Sequence, residues 1–335
     1  MEKSLSPVAR IWNLVRQEKT EITAIYFYAI LAGLIQLSLP VGVQAIISFV
    51  LGGVMSTSLI LLITLVVTGV RATGLMYINQ MKLIEKIQQK IFVRYTAEIA
   101  DRIPRLDLKK IDSFYLPELV NRFFEMPVLQ KGLSKLLLDI PTATIQILFG
   151  LLLLSFYHPV FILFGILLIL VLAIILYYTG SKGLKTSLAE SGYKYAVAAW
   201  LEELARVVKS FKLSKGTSLH LKRTDERTIT YLNTRTQHFG VLLFQYRTLV
   251  ALKTIITAAM LLVGSFLLVN QQLNIGQFIA AEIVILIVIS AVEKIIGTLD
   301  SVYDVLTSVE KIGKLTDKPL EQHGNHLLPQ KKEGV

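Results

Sequence analysis

The chain has 335 residues, of which 53% are hydrophobic and 18% are charged, with a formal net charge of +11 and no cysteine. The apolar residues gather in blocks of about 20, the length of a membrane crossing, which excludes an ordinary soluble domain and predicts an integral membrane protein. The lack of cysteine excludes a disulfide framework, a thiolate metal site and a cysteine nucleophile.

Residues 1–20 predict a short helix that precedes the first apolar block. Ser6 followed by Pro7 is typical of a helix start, with a capping side chain and a proline in the first turn. The apolar residues that follow lie on one helical face: Val8, Ile11, Trp12 and Val15. A tryptophan beside basic residues just before a span favours an elbow helix lying in the membrane interface, and an ordinary surface helix is the alternative.

Six apolar blocks follow and predict six membrane spans, which we place in one domain at residues 21–316. They lie at about residues 22–51, from 59 onward, 140–157, 160–178, 249–269 and 278–297. The first is longer than a perpendicular crossing requires, and Pro40 would allow a kink near its middle.

The 35 lysines and arginines are placed unevenly around these spans. Four precede the first span, 11 lie between the second and third, 12 between the fourth and fifth, and six from Lys294 onward. Because positive charge beside spans marks their cytoplasmic side, both termini and both long connections are expected in the cytoplasm. We expect the bacterial inner membrane as the location. The basic residues alternate with acids, which favours a solvated helix surface and no nucleic-acid partner.

The two long connections predict tall helical hairpins. In the first, apolar spacing predicts one helix over about residues 58–105, far longer than a bilayer is thick, followed by a break at Pro117. In the second, an apolar stripe that includes Trp200 and Phe211 precedes a break at residues 214–217. The predicted fold is an all-α membrane protein with six transmembrane helices and two long cytoplasmic helical extensions.

The hairpin tips resemble the intracellular loops of the transmembrane domain of exporter-type (type I) ABC transporters, such as peptide, toxin and multidrug exporter half-transporters. In the first tip the resemblance rests on Asp112, Ser113, Phe114, Tyr115, Glu118 and Arg122, with Pro117 where that family usually has glycine. In the second it rests on Arg206, Val207, Lys209, Ser210 and Phe211. With the six spans, the order and spacing of these motifs extend the resemblance over residues 6–321.

This resemblance implies a second six-span half, with a homodimer favoured over a heterodimer, and a pathway that opens alternately to the two sides. It also implies that both tips act as coupling helices on nucleotide-binding domains, which would bind ATP and Mg²⁺. The chain contains no Gly-x-x-x-x-Gly-Lys-Ser/Thr phosphate loop, so no cofactor and no ATPase activity are expected of the chain alone. Residues 317–335 are interpreted as a flexible linker toward the absent domain. That domain either continues the chain, which we favour, or is a separate polypeptide.

Ionisable residues within the spans are the candidates for a translocation path, because unpaired charge in hydrocarbon is costly. Glu282 could line a cavity or form a structural pair with another span, while Arg71 and Lys253 could simply extend toward water. The histidines show no metal-binding spacing. The alternative function is a membrane scaffold or regulatory subunit with the same fold and no transport of its own.

Overall fold

The computed structural model describes residues 6–53, 57–107, 120–213 and 218–321, and these residues are almost entirely helical. The α-helices described are α1 (Pro7–Gln17), α2 (Lys19–Gln36), α3 (Ser38–Leu51), α4 (Thr57–Arg102), α5 (Met126–Tyr157), α6 (Val160–Arg206), α7 (Val208–Leu213), α8 (Leu219–Val269) and α9 (Ile275–Thr316). Short 3₁₀ turns at Ile103–Arg105 and Arg122–Glu125 flank the first tip. The predicted all-α fold with six membrane-capable helices is confirmed.

The first span is interrupted near its middle, between α2 and α3. Pro40 has no N–H to offer the carbonyl of Gln36, and its ring would crowd that carbonyl in a continuous helix. The backbone instead tightens at Leu37, whose N–H donates to the carbonyl of Leu34 at 3.2 Å. The helix is therefore interrupted at the place where Pro40 would allow a kink.

Four helices are much longer than a membrane crossing requires. Helix α4 has 46 residues, α6 has 47, α8 has 51 and α9 has 42. At 1.5 Å per residue, α4 is about 70 Å long, roughly twice the hydrocarbon thickness. The long helix predicted over residues 58–105 is confirmed, and the chain leaves it at the turn that contains Pro104.

The helices form two groups. Helices α2, α3, α4, α5 and α9 pack together, while α6 and α8 pack along each other and join that bundle mainly through α9 and α5. Glycines permit the close approach of α5 and α9: a Cβ at Gly132 of α5 would lie 2.4 Å from Cγ2 of Val305 on α9, and one at Gly150 would lie 2.4 Å from Cγ2 of Val288.

The two ends of the described chain meet beyond the apolar spans. Leu106, just before the first tip, forms an antiparallel bridge with Leu320, just after α9. Arg10 of α1 pairs with Asp317 at the end of α9. Leu14 of α1 is buried in the apolar core formed by α2, α4, α5 and α9, whereas Trp12 is 67% exposed. The interfacial role of α1 stays a prediction.

Candidate coupling region and membrane cavity

The predicted coupling residues of the first tip fall largely outside the described residues. Asp112, Ser113, Phe114, Tyr115 and Glu118 lie in the gap between residues 107 and 120, as does the break expected at Pro117. Arg122 is described and lies in the 3₁₀ turn Arg122–Glu125, where the chain returns from the tip to α5. The structure therefore shows how the base of this tip is attached.

Glu125 forms the centre of a buried polar cluster at that base. The residue is 4% exposed. Its carboxylate accepts hydrogen bonds from Lys194 Nζ at 2.7 Å, the Tyr195 hydroxyl at 2.9 Å and Ser308 Oγ at 2.8 Å. Lys194 and Tyr195 belong to α6 and Ser308 belongs to α9, so one carboxylate joins three long helices.

Cations gather around the ring of Tyr195 in the same cluster. Arg122 Cζ lies 5.9 Å and Lys311 Nζ lies 5.3 Å from the ring centroid, both within reach of a cation–π contact. Arg122 Nε is buried and has no hydrogen-bond partner among the described residues. The base of the first tip is therefore positively charged around a single buried carboxylate.

The buried, charged environment of this cluster shifts the pKa values of Glu125 and Lys311. The cluster lies well outside the apolar span, because Glu125 precedes residue 140 by enough helix to place it about 22 Å away. Burial alone would raise the pKa of Glu125, but the hydrogen bond and charge of Lys194, with the bond from Ser308, hold it below its usual value. Burial, with the neighbouring charges of Lys314 and Arg122, lowers the pKa of Lys311 to about 8.

The second tip is exposed and bent. Helix α6 ends at Arg206, Val207 leaves helical geometry with φ −104° and ψ 21°, and α7 then runs from Val208 to Leu213. The apolar stripe predicted as one helix is thus divided at Val207, where two adjacent β-branched residues disfavour a continuous helix. Arg206 pairs with Glu203 at 2.7 Å, while Lys209 and Ser210 are exposed.

Contacts between long helices tie the two tips together. Asn121, beside the first tip, donates a hydrogen bond to Glu202, near the end of α6. At the other side of the second tip, the Trp200 indole N–H donates to Thr224 Oγ1 at 2.9 Å, which holds the start of α8 against α6. A displacement of either tip would therefore also displace the helices of the other cytoplasmic extension.

A polar cavity of about 280 Å³ lies beside this cluster, between α5, α6, α8 and α9. His238 lies on its wall, with Nδ1 2.8 Å from Thr186 Oγ1 and Nε2 3.6 Å from Asp300. No group of three or more histidine, aspartate or glutamate side chains able to hold a metal occurs within the described ranges.

The charged candidates within the spans do not converge on one site. Lys253 of α8 pairs with Glu293 of α9 at 3.2 Å. Glu282 is half-buried on α9, and Arg71 is exposed on α4. In the part of the chain that the structure describes, neither Glu282 nor Arg71 has a hydrogen-bond or ion-pair partner.

A second cavity, of about 370 Å³, lies among the first three spans and is lined by uncharged polar groups that sequence reasoning missed. Gln146 donates to Gln36 at 2.9 Å, and Thr142 donates to Gln80 at 3.5 Å. We define the membrane cavity by these four residues together with Ala29, Ala32, Gly33, Ile35, Ser38, Leu39, Val70, Thr73, Gly74, Tyr77 and Lys294.

Of the two groups that sequence reasoning missed, one carried a weak sequence signal and the other carried none. Glutamines inside apolar blocks at 36, 80 and 146 are unusual, and that pattern could have directed attention to the membrane cavity. Glu125 could not have been recognised, because nothing local distinguishes a buried acid from the exposed acids of a charged helix.

Comparison with known proteins adds one match. A family model described as ABC transporter transmembrane region matches residues 22–292, which contain the first five spans, both long connections and most of the sixth span. No curated protein matches the chain.

Proposed function

The chain belongs to the ABC transporter transmembrane region family, and from that premise we propose that it is the membrane-spanning half of an ATP-driven exporter. Membership makes it an integral membrane part of an ABC transporter, which works with a nucleotide-binding domain and a second membrane half. The family match over residues 22–292 is the observation that carries this proposal. Export, coupling through the tips and alternating access are the steps proposed beyond it.

The geometry supports coupling through the two tips. The second tip offers an exposed surface with Lys209 and Ser210 at the end of helices that reach far beyond the apolar spans. Glu125 joins the base of the first tip to α6 and α9 through bonds of 2.7–2.9 Å. A push on either tip would move several spans as one body, because a hydrogen-bonded helix transmits displacement along its length.

Alternating access follows from that coupling. Helices α6 and α8 form a pair that joins the remaining bundle mainly at α9 and α5, so the two groups can rock against each other without unfolding. We place both termini and both tips in the cytoplasm on the distribution of lysine and arginine. The location proposed for the spans is the bacterial inner membrane.

ATP and Mg²⁺ belong to the partner domain in this proposal. The sequence has no phosphate-binding loop, and residues 215–217, Lys-Gly-Thr, lack the preceding glycine that such a loop needs. The favoured partner for the second half is an identical copy. The contribution of this chain is therefore the substrate pathway and the mechanical link to the motor.

Cross-linking tests the coupling. Because the chain has no native cysteine, Ser113→Cys and Ser210→Cys each supply a unique thiol. We expect both to cross-link to a nucleotide-binding domain co-purified with the full protein, whereas Gly240→Cys, exposed on the shaft of α8, should not. If neither tip reaches the domain while Gly240→Cys does, the coupling assignment is wrong. A co-purified assembly that hydrolyses no ATP would favour the scaffold alternative.

A further inference from the structure

The membrane cavity combines apolar walls with unpaired hydrogen-bonding groups at membrane depth. It lies between α2, α3, α4 and α5, with Lys294 of α9 also on its wall, in the half of the spans nearer the polar extensions. A cavity of about 370 Å³ is large enough for a small organic molecule. Polar groups are costly in hydrocarbon, so their convergence on one cavity needs a physical reason.

Gln80 is the most informative of these groups. The residue is 1% exposed, and its carbonyl oxygen accepts the Thr142 hydroxyl. Its side-chain N–H groups donate to no described residue. An amide donor in such a place lacks about 1 to 3 kcal/mol of hydrogen bonding until a ligand or water supplies an acceptor.

Neighbouring groups add to this excess of donors. Gln36 accepts from Gln146 but donates no side-chain hydrogen bond within the described ranges. Ser38 Oγ is buried without a partner there. The wall of the cavity therefore holds amide and hydroxyl groups whose hydrogens have no acceptor among the described residues.

The charge of the lining residues limits which ligands the cavity can accept. Among the residues that the structure describes, Lys294 is the one charged side chain on the wall, and none of them contributes a carboxylate to the cavity. Asp139, the closest acid to Lys294, lies outside the cavity at 3.9 Å, the long limit of an ion pair. A cation entering the cavity would lose its hydration, meet the ammonium of Lys294 and find no carboxylate in exchange.

We propose that the membrane cavity is a substrate subsite for small amphipathic molecules that carry carbonyl, amide or carboxylate acceptors, and that it disfavours lipophilic cations. This inference rests on the proposed transport function for its biological meaning. It does not depend on ATP coupling for its test, because binding can be measured on the chain alone.

Direct binding distinguishes the ligand classes. The chain is placed in phosphatidylcholine nanodiscs and titrated with three dansyl probes that share one fluorophore: dansyl-leucinamide is neutral, dansyl-leucine is anionic and dansylcadaverine is cationic. We expect the first two to bind about tenfold more tightly than the third, since like charges brought together in a site are costly. Equal or tighter binding of dansylcadaverine overturns the proposal.

Variants locate the binding. Gly74 lines the cavity and a Cβ built there meets no atom within 4 Å, so the side chain of Gly74→Leu has room to start into the cavity and should weaken binding of the neutral probe at least about tenfold. Gly240→Leu, also free of neighbours within 4 Å, is the matched control and should bind as the parent does. Gln80→Met should weaken binding of both acceptor-bearing probes, and Lys294→Gln should remove any advantage of dansyl-leucine over dansyl-leucinamide.

A labelling experiment covers the case in which Gly74→Leu does not fold. Gly74→Cys is a unique thiol that can be modified with maleimide after folding, and the modification should abolish probe binding. Acceptor-bearing probes should in turn slow the modification. A thiol that is fully protected before any probe is added would mean that lipid or a second copy fills the cavity, and the proposal would be wrong. If the tips cross-link to the motor but the probes fail to discriminate, only the substrate class is refuted.

Discussion

Replacement of Glu125 by glutamine tests whether the buried cluster holds the base of the first tip to α6 and α9. The change keeps the size of the side chain but removes its charge. Lys194 then loses its ionic partner at 2.7 Å, and the hydroxyls of Tyr195 and Ser308 lose an anionic acceptor. We expect Glu125→Gln to destabilise the folded chain.

The magnitude follows from the number and environment of the bonds. A hydrogen bond to a charged group contributes about 1.5 to 3 kcal/mol, against about 0.5 to 1.5 for a neutral one. The bond from Lys194 counts for less, because the lysine side chain is half exposed and water can replace its partner. The sum is a loss of about 2 kcal/mol, which corresponds to a fall in unfolding temperature of about 4 °C.

The pH dependence gives the sharper readout. The pKa of Glu125 is lower in the folded chain than its usual value of 4.5, so its contribution to stability is present above that value and is lost as the pH falls through the folded pKa. Thermal unfolding of the purified chain, followed by circular dichroism, should therefore show a difference in unfolding temperature between parent and Glu125→Gln at pH 7 that shrinks as the pH falls below 4.5 and closes once the pH has passed the folded pKa.

An exposed acid supplies the control. Glu226 lies on the surface of α8, and Glu226→Gln should leave the unfolding temperature unchanged across the same pH range. A Glu125→Gln chain as stable as the parent at pH 7, or a difference that persists unchanged however far the pH falls below 4.5, would refute the reasoning.

Three further predictions concern other parts of the molecule. Lys311→Met should raise the unfolding temperature at pH 7 by an amount equivalent to about 1 to 3 kcal/mol, because burial of the charged lysine lowers its pKa to about 8 and so costs stability. The gain should shrink as the pH rises from 8 to 10.5, where the buried lysine loses its charge, and a gain that does not depend on pH would contradict this cause. Gly132→Ala should cost about 1 to 3 kcal/mol by forcing α5 and α9 apart, whereas Gly240→Ala should be neutral or stabilising in the same thermal assay. Phe211→Ala in the second tip should leave the unfolding temperature within about 1 °C of the parent yet reduce ATP hydrolysis by the co-purified assembly, and unchanged hydrolysis would remove Phe211 from the coupling surface.

The fold was largely predictable because its determinants are local. Blocks of apolar residues and the absence of helix breakers were enough to predict the six spans and the length of α4. The break at Val207 could not be predicted, because the apolar stripe continues through it and only weak helix propensity opposes it. The bridge between Leu106 and Leu320 joins residues more than two hundred positions apart, and no local pattern indicates such a pairing.

The candidate site was less accessible to sequence reasoning. The search for charge within the spans selected Glu282, Arg71 and Lys253, of which Lys253 lies in an ion pair with Glu293. The membrane cavity is instead lined by neutral amides such as Gln36 and Gln80. Whether a neutral side chain faces a cavity or a neighbouring helix depends on helix rotation, which the sequence leaves open.

The measurement that tests the central claim most directly is nucleotide-dependent access to the membrane cavity. The full assembly carrying Gly74→Cys is placed in inside-out vesicles, and its modification by a membrane-impermeant maleimide is timed with and without ATP and vanadate. An ATP-driven exporter that works by alternating access predicts fast modification without nucleotide and strong protection in the trapped state. An identical rate in both states, in an assembly that hydrolyses ATP, would contradict the account.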